Sequence, residues 1–310
     1  MISNSLKLCR AKIDSTFQLM LLWCVPFVIG VRLINFLAVS VVLQRTIFRR
    51  KIKPLLRFMD LYGTTDRREA ISSYLIANAL SYRFYIWRKN AIVHAKTSQL
   101  ERHLRMQGLG TIVNRDDDKA GVILVAAHFG VASLLPNLLE RTGLKILVLS
   151  RGKGEKSMSK RLQSENRKTI SLENAFLAQA FLQAKIVLEG GGLVLLLPDG
   201  RIGANPKTYP FLDRSMAFQE GFAQLALMTG ASVVPVVGKV NEKGFMTFDF
   251  QQPLDSGDEV LSKSERCRRM TEQYAVWLEG RWLSDPGNIH QQWLNSFLGE
   301  AAEPRAGGDA

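Results

Sequence analysis

Residues 121–133 have the sequence GVILVAAHFGVAS, in which an unbroken apolar run, Gly121–Ala127, ends at His128. A run of this length without polar residues is typical of a strand that is buried on both faces. Such strands occur in parallel sheets that are covered by helices on both sides. After His128, a helical pattern of apolar residues extends over Val131–Arg141. The stretch therefore predicts a buried strand, a histidine at its carboxyl end and a following helix.

Three further apolar runs have the length of buried strands, namely Lys145–Ser150, Leu193–Pro198 and Ser232–Val240. Helical patterns lie between them at Ser171–Glu189 and Ala217–Thr229. The first of these two helices has a serine as its candidate N-cap and ends at three consecutive glycines, which is a typical C-cap signal. Strands that alternate with helices predict an α/β fold with a mostly parallel sheet flanked by helices.

Asp66, with Glu69 three residues later, resembles a pair that caps the start of a helix. The predicted helix extends to about Arg88 and contains five aromatic residues, Tyr74, Tyr82, Phe84, Tyr85 and Trp87. Aromatic residues beside arginine and lysine are typical of a lipid interface, and they are equally typical of a helix face that packs on a core. Both interpretations stay open.

The chain has 310 residues, 46% of them hydrophobic, and a formal net charge of +13. The length allows one large α/β domain, or two small ones, with a sizeable core. The charge predicts a polyanionic partner, and no nucleic-acid-binding module is recognisable, so we expect an anionic membrane surface. Cys9, Cys24 and Cys267 lack C-x-x-C spacing, which predicts neither a zinc site nor a disulfide framework.

From Phe17 to Gln44 the only charged residue is Arg32. This stretch is longer than the ~20 residues that cross a bilayer, and it lacks the cleavage site of a signal peptide. Basic clusters flank it, and the denser cluster follows it, which predicts a cytoplasmic location for the next domain. Because Pro26 and Gly30 interrupt the stretch, a hairpin or an in-plane anchor is an alternative, and a buried pair of core helices is another.

The predicted organisation is a membrane anchor with basic flanks at 1–53, an α/β domain at 54–299 and a tail at 300–310. The tail has no apolar period, and we expect it to be disordered.

Two polar elements follow predicted strands. His128 ends the first strand, at the edge of a parallel sheet where ligands collect. Its neutral form can take a proton from a hydroxyl, and a nearby helix N-terminus disfavours the charged form. The segment Pro198-Asp199-Gly200-Arg201 follows the third strand and presents a carboxylate and a guanidinium at the same edge. Its arginine can hold phosphate or carboxylate groups, although a polar turn with solvated charges has the same pattern.

Motifs of two other enzyme classes do not fit. Residues 151–157, RGKGEKS, follow a strand as a phosphate-binding loop does, but they lack its first glycine and its Gly-Lys-Ser/Thr ending. The sequence has no G-x-S-x-G, so a serine-hydrolase nucleophile has no support.

In chain order, these segments resemble the lysophospholipid acyltransferase superfamily, and within it the bacterial lipid A late acyltransferase branch. That branch has a histidine at a strand end and an acidic residue five positions later, where this chain has His128 and Ser133. The further matches are Pro198-Asp199, Pro210-Phe211, GFAQLA at 221–226, TGASVVPV at 229–236, Asp285-Pro286 and Trp293. The resemblance extends from about residue 15 to about residue 295 and implies a glycerophosphate-acyltransferase-like fold.

The resemblance also implies an activity, which is direct transfer of a fatty acyl group from a thioester to a hydroxyl, or an amine, of a lipid or glycolipid. It makes His128 the general base, oriented by Ser133. It assigns Asp199 and Arg201 to the acceptor's polar head, and Arg161, in preference to Arg151, to the arginine that the family has after its second strand.

The partners implied by the resemblance are an acyl carrier protein or acyl-CoA as donor, a lipid or glycolipid acceptor and an anionic membrane surface. No metal or redox cofactor is implied. The implied location is the bacterial inner membrane, with the catalytic domain on the cytoplasmic side.

Ser133 departs from the family pattern because it carries no negative charge. The sequence allows three hypotheses: a slower enzyme, an enzyme that uses another carboxylate such as Asp199 or Glu140, or a non-catalytic lipid-binding relative. A soluble nucleotide-binding protein is a more distant alternative.

Overall fold

The computed structural model describes residues 36, 49–63, 66–80, 97–113, 121–150, 167–171, 177–200, 206–257 and 260–299. They belong to two compact units. One unit contains 105–238 and 247–283, and the other contains the described parts of 1–104, 239–246 and 284–310. His128, Ser133, Asp199 and Tyr274 all belong to the first of these units.

The strands are, in chain order, β1 Leu104–Gln107, β2 Val122–Val125, β3 Ile146–Ser150, β4 Arg167–Ser171, β5 Leu193–Leu196, β6 Lys207–Phe211, β7 Arg214–Phe218, β8 Ser232–Val240 and β9 Met246–Phe250. A seven-stranded sheet has the order β1-β9-β8-β2-β5-β3-β4. Strand β2 pairs in parallel with β5 and β8, and β3 pairs in parallel with β4 and β5. Strands β6 and β7 form a separate antiparallel hairpin.

The helices are α1 Arg49–Tyr62, α2 Arg67–Asn78, α3 Thr97–Glu101, α4 Gly110–Val113, α5 Leu135–Glu140, α6 Leu177–Glu189, α7 Gly221–Thr229, α8 Lys263–Ser284 and α9 Gln291–Phe297. Short 3-10 helices span Ala132–Leu134 and Pro286–Asn288. Helices α5 and α6 pack on β3, α6 also packs on β5, and α7 packs on β2. The α/β fold with a mostly parallel sheet flanked by helices is therefore confirmed.

The central strands form the core of the sheet. Each residue of β2, Val122–Val125, is at most 1% exposed, and so are the first three residues of β5. A strand with neighbours on both sides and helices over the sheet excludes water from both faces, which explains its unbroken apolar sequence. The register aligns Val125 of β2 with Leu196 of β5, so the two strands end side by side.

Two predicted helix boundaries are wrong. Ser171 is not an N-cap but the last residue of β4, where it pairs with Ser150 of β3, and α6 begins at Leu177. The helix predicted from Ala217 begins at Gly221, because 217–218 are the last residues of the β6–β7 hairpin. In both places a short strand beside the helix has too few apolar residues to be recognised from periodicity.

The other predicted elements agree more closely with the structure. Strand β8 has the predicted bounds, whereas the run from Leu193 ends as a strand at Leu196, two residues before Pro198. The helix predicted over Val131–Arg141 is a 3-10 turn followed by α5. Gly191 adopts a positive φ of 74° after α6, which confirms the glycine C-cap signal there.

Helix α2 begins as predicted. The Asp66 side chain accepts hydrogen bonds from the backbone N–H groups of Arg68 at 2.8 Å and Glu69 at 3.5 Å, so Asp66 is its N-cap. Tyr74 is buried, which places this one aromatic residue in the core. The other four predicted aromatic residues of this helix lie within 81–96, outside the described residues.

The predicted anchor at 17–44 lies outside the described residues except for Phe36, and so does the predicted tail at 300–310. Within the described ranges, no helix is both long enough and apolar enough to cross a membrane.

Candidate active site

His128 lies just beyond β2, in a turn held by backbone hydrogen bonds to neighbouring strands. Ala126 N–H donates to the Leu196 carbonyl at the end of β5, at 3.0 Å. Val131 N–H donates to the Gly238 carbonyl of β8, at 2.8 Å. Because both anchors belong to the central sheet, the chain leaves β2 along a fixed path and His128 has a defined position.

Asp199 holds His128 with both of its carboxylate oxygens. Oδ1 lies 2.9 Å from Nδ1 of the ring, and Oδ2 accepts the backbone N–H of His128 at 2.7 Å. The Asp199 side chain is 1% exposed, whereas that of His128 is 30% exposed. One buried carboxylate therefore fixes both the backbone and the ring of His128, while part of the imidazole faces solvent.

This contact also sets the tautomer that we assign to the neutral ring. An ionised carboxylate is an acceptor only, so Nδ1 carries the proton and donates it to Asp199. Nε2 is then the nitrogen with a lone pair, the form that can accept a proton from a hydroxyl. A positive charge that develops on the ring is stabilised by the buried carboxylate beside it.

Gly200 allows the turn after Asp199 to pass close to the histidine. A Cβ atom at this position would lie 3.3 Å from the Leu197 carbonyl oxygen and 3.8 Å from Cε1 of His128. A side chain here would crowd the turn, and its further atoms would lie near the imidazole. The Pro-Asp-Gly sequence is therefore part of the site.

Ser133 lies in the 3-10 helix that follows the histidine, with its side chain exposed between the buried residues Ala132 and Leu134. Glu140, the other alternative carboxylate, lies at the end of α5 and is half-buried. Of the two carboxylates that the sequence offers in place of the family's acidic residue, Asp199 hydrogen-bonds to His128 through both of its oxygens. The geometry thus favours the hypothesis of a replacement carboxylate.

Arg161, Arg151 and Arg201 lie outside the described residues. Their assignments to polar groups of the substrates stay predictions.

The β6–β7 hairpin is attached to the turn that carries Asp199. Gln219 N–H, just after β7, donates to the Pro198 carbonyl at 2.9 Å. The next residue, Glu220, is buried, lies 2.7 Å from the Lys207 ammonium and accepts a hydrogen bond from the Tyr209 hydroxyl. Burial and the adjacent Glu220 raise the pKa of Tyr209, so its hydroxyl stays a donor.

The sequence does not predict this hairpin, although its Pro210-Phe211 segment is one of the family matches. Phe211 is completely buried in β6, and its ring meets that of Trp282 at 5.0 Å. The signal available in the sequence is the spacing of Tyr209 and Phe211, which lie two positions apart and are both buried in β6. The strand has only five residues, so this alternation is short.

Across the described parts of the chain, no group of three or more His, Cys, Asp and Glu side chains is arranged to hold a metal ion. Cys267, the one cysteine within these ranges, is buried and has a free thiol.

A histidine held by a buried carboxylate at the carboxyl edge of a parallel sheet has the arrangement that general-base enzymes use. The sequence matches, over residues 16–283, the bacterial lipid A biosynthesis acyltransferases. Since this match covers most of the 310 residues, the chain belongs to that family and is an acyltransferase that acts on lipid. No curated protein matches the sequence.

Proposed function

We propose that the protein transfers a fatty acyl group from the thioester of an acyl carrier protein or coenzyme A to a hydroxyl of a lipid or glycolipid. The observation that carries the proposal is the contact between Asp199 and the ring of His128. It holds the imidazole at a strand end and assigns the proton of the neutral ring to Nδ1, so that Nε2 carries the lone pair. The family membership supports the acyl-transfer chemistry.

The reaction needs a single proton-transfer group. Nε2 of His128 takes the proton of the acceptor hydroxyl while the hydroxyl oxygen attacks the thioester carbonyl carbon. The tetrahedral intermediate then expels the thiolate, breaking the carbon–sulfur bond, and the imidazolium returns the proton to sulfur. The products are an ester and a free thiol, and no covalent bond to the protein forms.

Asp199 orients and stabilises His128 in this mechanism. Both of its oxygens hydrogen-bond to His128 and its side chain is buried, so it is poorly placed to hold the polar head of an acceptor. This assignment replaces the expected role of Asp199 in acceptor binding. Ser133 supplies a neutral hydroxyl near the start of the helix after His128, and Arg161 and Arg201 are assigned to anionic groups of the substrates.

The positive charge of the chain supports the proposed partners. A net charge of +13 favours binding to an acidic carrier protein and to anionic lipid headgroups. We assign the protein to the cytoplasmic side of the bacterial inner membrane, anchored by the apolar stretch at 17–44, because the denser basic cluster follows that stretch.

The test is to incubate the purified full-length protein with acyl-carrier-protein and acyl-CoA thioesters and a bacterial membrane lipid extract, and to measure acylated lipid. His128→Ala is expected to lower the rate by about 100- to 10,000-fold. The matched control is His103→Ala, which removes an imidazole from the turn before β1 and is expected to keep the rate of the native protein. Native turnover in His128→Ala, or saturable lipid binding by the native protein without transfer from any donor, would contradict the proposal.

A further inference from the structure

Tyr274 of α8 reaches the strand end that carries His128. Its side chain is completely buried, and its hydroxyl donates to the Ala126 carbonyl at 2.8 Å. Ala126 is the first residue after β2 and precedes His128 by two positions. A helix residue nearly 150 positions away in the sequence is therefore attached to the segment from which the candidate base projects.

The ring of Tyr274 is fixed by aromatic neighbours from two other elements. It meets Phe218 of β7 edge-on at 5.7 Å and Phe222 of α7 at 5.9 Å. Both neighbours are buried, so the ring has little freedom and the hydroxyl position is set by the core. Packing around the ring thus holds the Tyr274 hydroxyl in place to donate its hydrogen bond to Ala126.

The chemical state of the Tyr274 hydroxyl suits a permanent donor. Burial, and then the negative charge of Asp199, raise the pKa of this hydroxyl well above its usual value. It stays protonated throughout the pH range in which enzymes work.

Three hydrogen bonds act together in this segment. Tyr274 binds the carbonyl of Ala126, and the two oxygens of Asp199 bind the N–H and the ring of His128. Only Ala127 separates the two bound residues. A rotation of the peptide at Ala126 would move the N–H of His128 away from Oδ2, and the ring would follow the backbone.

We propose that Tyr274 is a positioning residue, whose hydroxyl fixes the Ala126 carbonyl so that the backbone and ring of His128 both stay on Asp199. Its effect on catalysis rests on the proposed general-base role of His128. Its effect on the geometry of the histidine and the carboxylate does not, and that effect is measurable without turnover.

The first test is amide hydrogen exchange in full-length native protein and in Tyr274→Phe, which keeps the ring and removes the hydroxyl. We expect exchange at the His128 amide to become about ten- to a hundredfold faster, because a buried acceptor loses its partner and the segment opens more often. Exchange at Ile123 within β2 should stay unchanged. An unchanged His128 amide, or equal acceleration at His128 and Ile123, which indicates a general loss of stability, would overturn the proposal.

The second test is the kinetics of acyl transfer. Tyr274→Phe is expected to lower kcat by roughly 10- to 100-fold with KM unchanged, because a small displacement of the base impairs the chemical step and not binding. The control is Thr271→Val, which removes a buried hydroxyl from the same helix, bonded to the Cys267 carbonyl rather than to the strand end. It should keep the native kcat. Equal kcat losses in both variants, or a change confined to KM, would overturn the proposal.

The two tests separate failure of this inference from failure of the proposed function. If the native protein transfers no acyl group, the function proposal fails and the exchange experiment still decides whether Tyr274 fixes His128. If transfer occurs and Tyr274→Phe matches the native protein in both experiments, the function stands and the role of Tyr274 is wrong.

Discussion

At the scale of single residues, the carboxylate beside His128 comes from a different position than the family pattern predicts. The family pattern places an acidic residue five positions after the histidine, and this chain has Ser133 there. In the proposed site, Asp199, which lies 71 positions after His128 in the sequence, takes the place of that residue, because parallel pairing of β2 and β5 brings the two strand ends together. A sequence motif with fixed spacing cannot reveal this substitution, since the replacement comes from a different strand.

The position of Asp199 predicts the behaviour of Ser133 variants. Ser133→Ala is expected to lower the transfer rate by less than about tenfold, because removing one neutral hydrogen-bonding group costs little beside a retained carboxylate. Ser133→Asp is expected to bring little or no gain, since a second carboxylate near Asp199 adds like-charge repulsion. Steady-state rates of the two variants and the native protein check this. A large gain in Ser133→Asp would show that Asp199 does not supply the charge that the histidine needs.

At the scale of elements, the β6–β7 hairpin depends on a contact with α8. Leu212, in the hairpin turn, has a φ of 54°, a conformation that residues with a Cβ atom rarely adopt. Its backbone N–H donates to the Glu279 carboxylate at 2.6 Å. This charge-assisted hydrogen bond holds the strained turn against the helix that also carries Tyr274.

Glu279→Ala is therefore expected to lower the free energy of unfolding by about 1–3 kcal/mol, because a half-buried N–H loses a charged acceptor. The measurement is urea unfolding of the variant and the native protein. Glu272→Ala is the matched control on the same helix, where the carboxylate pairs with Arg268 at 2.8 Å on the surface. Such pairs contribute about 0.3–0.5 kcal/mol. Equal losses in the two variants would show that the turn does not depend on Glu279.

Element prediction from the sequence succeeded where burial is strongest. The apolar runs of β2, β3, β5 and β8 are recognisable because each is covered on both faces. The strands β4, β6 and β7 are not, because they are short and carry polar or alternating residues. The sequence patterns also do not predict helix α8, although Ser262 and Glu265 at its start form a capping pair. In this pair the serine N–H and hydroxyl both donate to the carboxylate.

At the scale of the whole molecule, the sequence identifies the sheet edge that carries the chemistry but not the partnership between its residues. Both His128 and Asp199 are recognisable as residues that follow buried strands. Their roles depend on side-chain geometry. Because His128 makes two hydrogen bonds to the Asp199 carboxylate, we propose Asp199 as the partner of the histidine rather than as an acceptor-binding group. The proposed anchor and the proposed acceptor-binding arginines stay predictions from the sequence.

The central claim is that His128 and Asp199 work as one catalytic unit, and a double-mutant cycle of acyl-transfer rates tests it most directly. The full-length native protein is compared with His128→Ala, Asp199→Asn and the double variant, each first checked for a native unfolding transition. If Asp199 acts through the histidine, each single variant is slow and the double variant is no slower than His128→Ala alone, because residues of one unit are strongly non-additive. If the two losses instead multiply, Asp199 acts independently of His128, as a group that binds the acceptor would, and the account is contradicted.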